Sequence, residues 1–293
     1  MYDLDEPIKH HNQLIIAMNS ILKPIFVLFC FVIQSGYAQF IPTLPKLPPT
    51  TGNQIYASSA YYSYSEPDAK TTHNGLTTGI GYERTQKISS NTFIKANIDY
   101  NPGRVEYAGT GTKTGVPQSY WDARILIGTN YQANEETISP YIGVGYRSLY
   151  NDNRGPSSSG AYGYQRTINY TYIPIGLISR KASASNSIIE TRLEYDYLLK
   201  GKVQSQLSDL AGYGGITDAT DANNTQTSGW GMRLSVSYLK ENWGITPYLS
   251  YWFIQNSDAV PVNITTNGTT ATYTAVEPTN RTNEYGVKVS YGF

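Results

Sequence analysis

The chain has 293 residues, 22 acidic against 22 basic side chains, and a charged fraction of only 15%, where soluble domains average about 25%. Zero net charge excludes the basic excess of a nucleic-acid-binding protein, and no window approaches the ~18 consecutive apolar residues of a transmembrane helix. With 27 Tyr against 7 Phe and a mean hydropathy of −0.38, the polarity comes from Ser, Thr, Asn, Gly and Tyr, which suits strands that face lipid on one side and water on the other.

Residues 1–17 are acidic and polar, wrong for the start of a secretory signal, so translation is expected to begin at Met18. From there Lys23, the apolar run from Ile25 to Ile33 and the small-x-small site Gly36-Tyr-Ala38 predict a signal peptide over 18–38, cleaved before Gln39. The single cysteine, Cys30, lies inside that run. The chain beyond it therefore has no disulfide and no thiolate metal site. Residues 39–53 hold four prolines and no periodicity, and are expected as an extended periplasmic lead-in to a barrel over 54–293.

Ten period-two segments follow. The first, 55–65, is rich in Tyr. In 75–85, Leu76, Thr78, Ile80 and Tyr82 oppose Thr77, Gly79, Gly81 and Glu83; in 91–100, Ile94, Ala96, Ile98 and Tyr100 oppose Phe93, Lys95, Asn97 and Asp99. The clearest is 119–131, with Trp121, Ile125 and Ile127 against Asp122, Arg124 and Gly128. Segment 138–150 sets Ile142, Val144 and Tyr146 against Tyr141, Gly145 and Arg147, and 164–178 is less well sorted. In 187–202, Ile189, Leu193, Tyr195 and Tyr197 oppose Glu190, Arg192, Glu194 and Asp196. Segments 229–239, with Arg233 on its polar face, and 245–254 come next. The last, 284–293, alternates strictly, Tyr285, Val287, Val289, Tyr291 and Phe293 on one face and Glu284, Gly286, Lys288, Ser290 and Gly292 on the other.

The gaps after odd segments are long and those after even segments short, so all long connections lie at one end. That layout, with strands longer than the usual five or six residues, predicts an all-β fold: a closed antiparallel transmembrane β-barrel of about ten strands, eight or twelve being the alternatives. It has short periplasmic turns and long extracellular loops, the longest being 203–228 and 255–283. Closure removes every edge, as a bilayer requires. Trp121, Tyr131, Trp230, Tyr238, Trp243, Tyr285 and Tyr291 are expected on the lipid face and its interfacial girdles.

The signal peptide, the sorted loops and the terminal Tyr291-Gly-Phe293 together resemble the bacterial outer-membrane β-barrels. The stretches 139–152, 170–176 and 194–197 look like parts of porin-family proteins. The resemblance implies a location in the Gram-negative outer membrane. It also implies that Tyr285, Val287, Val289, Tyr291 and Phe293 form the signal read by the barrel assembly machinery. Partners expected are outer-membrane lipid and lipopolysaccharide and that machinery; the extracellular ligand is left unnamed.

The candidate functional residues are the charges on the lumen face: Glu83, Lys95, Asp99, Asp122, Arg124, Arg147, Glu190, Arg192, Glu194, Asp196, Arg233 and Lys288. Six acids and six bases can pair off, and a ten-stranded bore is narrow enough for side chains to fill. One reading is a paired network that braces the wall. The other is a narrow channel lined by Arg124, Arg147, Arg192 and Arg233. Pairing of all four arginines, with Phe93, Tyr141 and Trp252 across the bore, would discriminate. The omptin proteases share this strand count but need an Asp-x-His arrangement, and the one histidine after residue 38, His73, sits in Thr-Thr-His-Asn-Gly with no Asp two residues away. It reads as a turn residue, without a serine placed against it for lipid hydrolysis. The loop acids Asp209, Asp218 and Asp221 lack calcium-loop spacing. No enzyme, metal site or cofactor is expected. The expected role is that of a surface protein acting through its loops by adhesion or partner binding, or of a structural component of the membrane.

Overall fold

A computed structural model describes residues 51–183 and 187–293; the expected leader 18–38, the residues before it and most of the proline-rich segment lie outside them. Ten long strands build the wall: β1 Gly52–Glu66, β2 Thr71–Lys87, β3 Thr92–Gly109, β4 Gly111–Thr129, β5 Glu136–Pro156, β6 Tyr162–Ser183, β7 Ser187–Ser205, β8 Gly229–Lys240, β9 Trp243–Ile254 and β10 Asn280–Gly292. Each pairs antiparallel with its sequence neighbours, a short strand Tyr131–Ala133 continuing β4 beside β5. β10 closes on β1 from Gln54↔Gly292 to Ser65↔Arg281. Reciprocal backbone hydrogen bonds between Asn53 and Phe293 extend this seam at 2.9 and 3.0 Å. β1 thus starts at Gly52, inside the segment expected as lead-in.

Alternation does the rest. Ile80, Ile98, Ile125, Val144, Leu193, Val236, Ile245 and Val289 point outward and stay exposed, while the residues that alternate with them face the bore and are buried or half-buried. Among the described residues no helix is long and apolar enough to cross a membrane; strands cross it instead.

Three loops expected to be long are mostly strand. β3 and β4 run to Gly109 and Gly111 with only Thr110 between them, where a Gly- and Thr-rich loop was expected over 101–118. The β1–β2 connection is 67–70 and that between β5 and β6 is 157–161. Beyond the bilayer the outer face has no reason to be apolar, so Thr112, Thr114 and Pro117 replace the Ile and Val found lower down. The period-two signal fades while backbone pairing continues. The two longest connections are ordered too. Ala222–Gln226 pairs with β7, and Ile216–Ala219 joins the hairpin Ala259–Thr266/Thr269–Val276 in a three-stranded sheet drawn from both loops. Asn267 and Gly268, at φ 49° and 78°, supply the left-handed residues that this two-residue hairpin turn requires.

Several of the large aromatics that fill the bore lie over a glycine on the next strand. Six directly paired positions do this: Tyr56–Gly81, Phe93–Gly128, Tyr141–Gly176, Tyr172–Gly145, Trp252–Gly231 and Tyr248–Gly286. The lumen-facing glycines of the sequence are therefore ring-binding positions.

Candidate functional site

Toward the periplasmic end, Phe93, Leu126, Tyr141 and Ile178 form a buried apolar layer. Beside it Lys95 meets Glu83 at 2.5 Å, and Arg192 reaches Glu83 at 3.3 Å and Glu190 at 3.1 Å. Arg180 closes on Glu190 at 2.7 Å. Because β2 and β7 are five strands apart in a ring of ten, Arg192–Glu83 spans the full bore.

The next level is denser. Arg124 pairs with Glu194 at 2.6 Å and donates to Asn97 Oδ1 at 2.9 and 3.2 Å. Arg233 contacts three acids, Asp196 at 2.8 Å, Asp122 at 2.9 Å and Glu194 at 3.3 Å. The Tyr172 and Tyr141 hydroxyls donate to Asp122 and Glu194. Asp99 accepts from Tyr56 at 3.1 Å and Asn101 at 2.7 Å. Lys288 lies between the rings of Tyr56 and Tyr248, 4.6 and 4.9 Å from their centroids. Arg147 stacks 3.7 Å above the Tyr120 ring and pairs with Glu284 at 3.0 Å. Among these charges an aromatic cluster with Tyr62, Tyr172 and Trp252 fully buried completes the filling.

All twelve charges singled out from the sequence lie in this interior, and Arg124, Arg147, Arg192 and Arg233 all pair with acids. Two partners were missed. Glu284 stands on the polar face of the terminal strand, where alternation alone points it inward, and Arg180 is in phase with Ile178 two residues past the expected segment end. With them the interior holds seven acids and seven bases among the described residues. Tyr285, Val287, Val289, Tyr291 and Phe293 all face outward and are exposed.

A second cluster lies at the extracellular rim, above the membrane-facing band. Arg166 pairs with Glu66 at 2.7 Å and with Glu277, and the Tyr64 hydroxyl donates to Glu66 at 2.7 Å. Burial raises the Glu66 carboxyl, but the Arg166 guanidinium and the Tyr64 hydrogen bond outweigh it and hold the group below its usual range. His73 is a strand residue, not a turn residue as its sequence suggested. It is 4% exposed, between the rings of Tyr64 and Tyr107 at 5.8 and 5.2 Å, and its Nδ1 faces Asn151 at 3.5 Å. Burial, then the Arg166 charge, lowers its pKa to about 4, so the imidazole is neutral. The signal missed was its spacing: His73 is in phase with Thr77 and Gly79, hence on the lumen side. Among the described residues no three His, Cys, Asp or Glu side chains converge as a metal site.

No protein-family model and no curated protein sequence matches the chain. Among solved structures, the outer membrane protease OmpT from Escherichia coli is similar at a TM-score of 0.55 and 8% identity, over 86% of this chain and 99% of that one. The translocator domain of autotransporter NalP from Neisseria meningitidis matches at 0.38 and 14% identity, over 84% and 90% of the two chains, and Neisserial surface protein A at 0.34 and 12%, over 83% and 98%. The likeness to OmpT is one of fold. With an apolar outward band, a closed seam and a polar interior, the chain is a closed ten-stranded antiparallel β-barrel with the fold of that outer-membrane protein.

Proposed function

We propose that this barrel is a non-enzymatic surface protein with a filled, non-conducting lumen, which acts through its extracellular face by adhesion or partner binding. The observation that carries this reading is the side-chain bridging of the bore. Arg192–Glu83 and Arg147–Glu284 each join opposite walls, and the buried rings of Tyr62, Tyr172 and Trp252 fill the space around them. A conducting path would need free arginines, and all four candidates are neutralised. Removing charges from water in pairs favours a brace over a filter.

Against catalysis, His73 is enclosed by two tyrosine rings and has an amide as its polar neighbour. A general base must reach a substrate proton. What remains for function is the outer sheet built by 216–219, 259–266 and 269–276. Its last strand is uncharged and exposed along nearly its whole length. The terminal strand, with Phe293 outward beside the β1 seam, suits recognition by the assembly machinery before closure.

Single-channel recording on the refolded barrel, with heat-modifiable gel mobility to confirm folding, tests the central point. A folded and silent barrel is the expected result. Discrete ion-selective openings would replace it with the narrow-channel reading and make the four arginines the selectivity residues.

A further inference from the structure

The outer three-stranded sheet has two unlike edges. One is Ile216–Ala219, four residues long, with a register shift against Thr265 and Thr266 and with Asp218 exposed on it. Pro261 on the central strand has no amide hydrogen to extend pairing on that side. The other edge is Thr269–Val276, eight residues of Thr, Ala, Tyr and Val with no charge and no proline. It pairs with Ala259–Thr266 in unbroken register, and no strand lies on its far side among the described residues. Shortness, bulges and charge are how sheets protect an edge. The first edge has all three and the second has none.

Hydrogen bonds fix which way the backbone of this second edge points. The Asn263 carbonyl accepts from the Thr220 amide at 2.9 Å, and the Asn263 amide donates to Thr220 Oγ1 at 2.8 Å. Both groups of Asn263 thus turn away from Thr272, its partner across the hairpin. In an antiparallel pair of that kind the opposite residue turns its own groups away too. Thr272, and in phase with it Thr270 and Thr274, therefore aim N–H and C=O at the open side, at ~6.8 Å intervals. Their side chains share one face, where Thr272 donates to Asn263 Oδ1 at 2.7 Å and the Thr265 and Thr270 hydroxyls lie 2.9 Å apart. The other face carries Tyr273, 55% exposed, between the small Ala271 and Ala275.

We propose that Thr269–Val276 takes an extended segment of a partner protein as the fourth strand of this sheet. The segment is free of proline, alternates apolar with small polar side chains, and is basic at its ends. Another extended backbone repeats donors and acceptors at the spacing of Thr270, Thr272 and Thr274, and apolar side chains of an added strand pack beside the Tyr273 ring. Charge sets the rest. The connections 206–228 and 255–279 hold Asp209, Asp218, Asp221, Asp258 and Glu277 and no Lys or Arg. Of these acids only Glu277 forms an ion pair among the described residues. A second copy of the chain would bring two such acidic surfaces together, so a basic foreign segment is the better complement. The proposal rests on the reading of this chain as a surface protein acting through its outer face, and it names the class of partner.

The test is binding of capped, fluorescent synthetic peptides of alternating Thr and Val to the refolded full barrel in neutral detergent, read by anisotropy. A peptide ended by Lys should bind about tenfold more tightly than one ended by Glu, and should lose binding when alternate backbone nitrogens are methylated. T272P removes an amide hydrogen aimed at the open side and leaves the hairpin ladder intact; it should weaken binding on the order of tenfold. T272V keeps that amide and should bind like wild type. Heat-modifiable mobility scores each variant as folded, and the methylated peptide on wild-type protein gives the same reading should T272P fail to fold. Absence of binding by the Lys-ended peptide, equal binding of its methylated form, or unchanged binding by T272P would overturn the site. So would a dimer in sedimentation that T272P dissolves, which would give the edge to a second copy. A conducting barrel that binds the peptide would overturn the filled-lumen reading and support the added strand; a silent barrel that ignores it would do the reverse.

Discussion

Arg147 on β5 and Glu284 on β10 meet at 3.0 Å although four strands lie between them around the wall in either direction. Tyr120 completes the link, its hydroxyl donating to the second Glu284 oxygen at 2.5 Å while its ring lies under the guanidinium. Glu284→Ala leaves Arg147 buried without a counter-charge, and should cost about 3–5 kcal/mol. Replacing both partners with apolar residues, Arg147→Met with Glu284→Leu, should restore much of it. Urea unfolding in micelles measures the series; a double variant no more stable than the single one would show that shape, not charge, holds the two walls.

The ring-over-glycine pairs predict a different kind of sensitivity. A Cβ at Gly145 would penetrate the Tyr172 ring, and one at Gly231 would sit 2.9 Å from Trp252. Gly145→Ala should destabilise the barrel by about 1–3 kcal/mol through overpacking, despite adding a better strand former. Gly52→Ala, with nothing near its added methyl, is the control, and its unfolding midpoint should not move.

Face assignment can be checked by charge. Val289→Arg or Ile127→Arg, both outward, should cost about 2–4 kcal/mol near the bilayer midplane. Ser290→Arg and Gly128→Arg act inside instead, the second against Phe93, whose ring lies 2.5 Å from the position of an added Cβ. Moving from thick to thin bilayers should change the first pair's cost and leave the second pair's unchanged.

Acid should loosen the rim. His73 titrates at about 4 in the fold against 6.5 when unfolded, so the unfolded chain binds the extra proton first. The stabilisation is complete above pH ~6.5 and is lost as pH falls toward 4, amounting to about 1 kcal/mol by pH 5.5. Glu66, held below its usual 4.5, adds its own loss only below that value. Comparing unfolding midpoints at pH 7.5 and 5.5 in wild type and His73→Phe isolates the histidine; an unchanged pH slope in the variant would assign the effect to other groups.

Much of the barrel was legible in advance. Leu76 to Tyr82, Trp121 to Ile127 and Tyr285 to Phe293 announce strand, face and lipid contact together, because alternation is a local property and the bilayer imposes it residue by residue. The same rule placed all twelve interior charges and put Glu284 on the polar face of its strand, and it could have placed His73 had its phase been followed. Above the bilayer it fell silent. At 101–118 and 151–163 no apolar face is demanded, so strands continued through residues with the composition of loops.

Sequence alone determined the class of fold, its strands and which way each side chain points, since these follow from a period of two and a hydrophobic boundary. Only the tertiary structure decided which charge meets which. That Arg147 finds Glu284 and Arg192 finds Glu83 depends on strand number, tilt and closure, which fix the wall opposite each residue. The pairing of 216–219 with 259–266 joins two loops that the sequence reads separately, and His73 is buried because Tyr64 on β1 and Tyr107 on β3 stand directly opposite it.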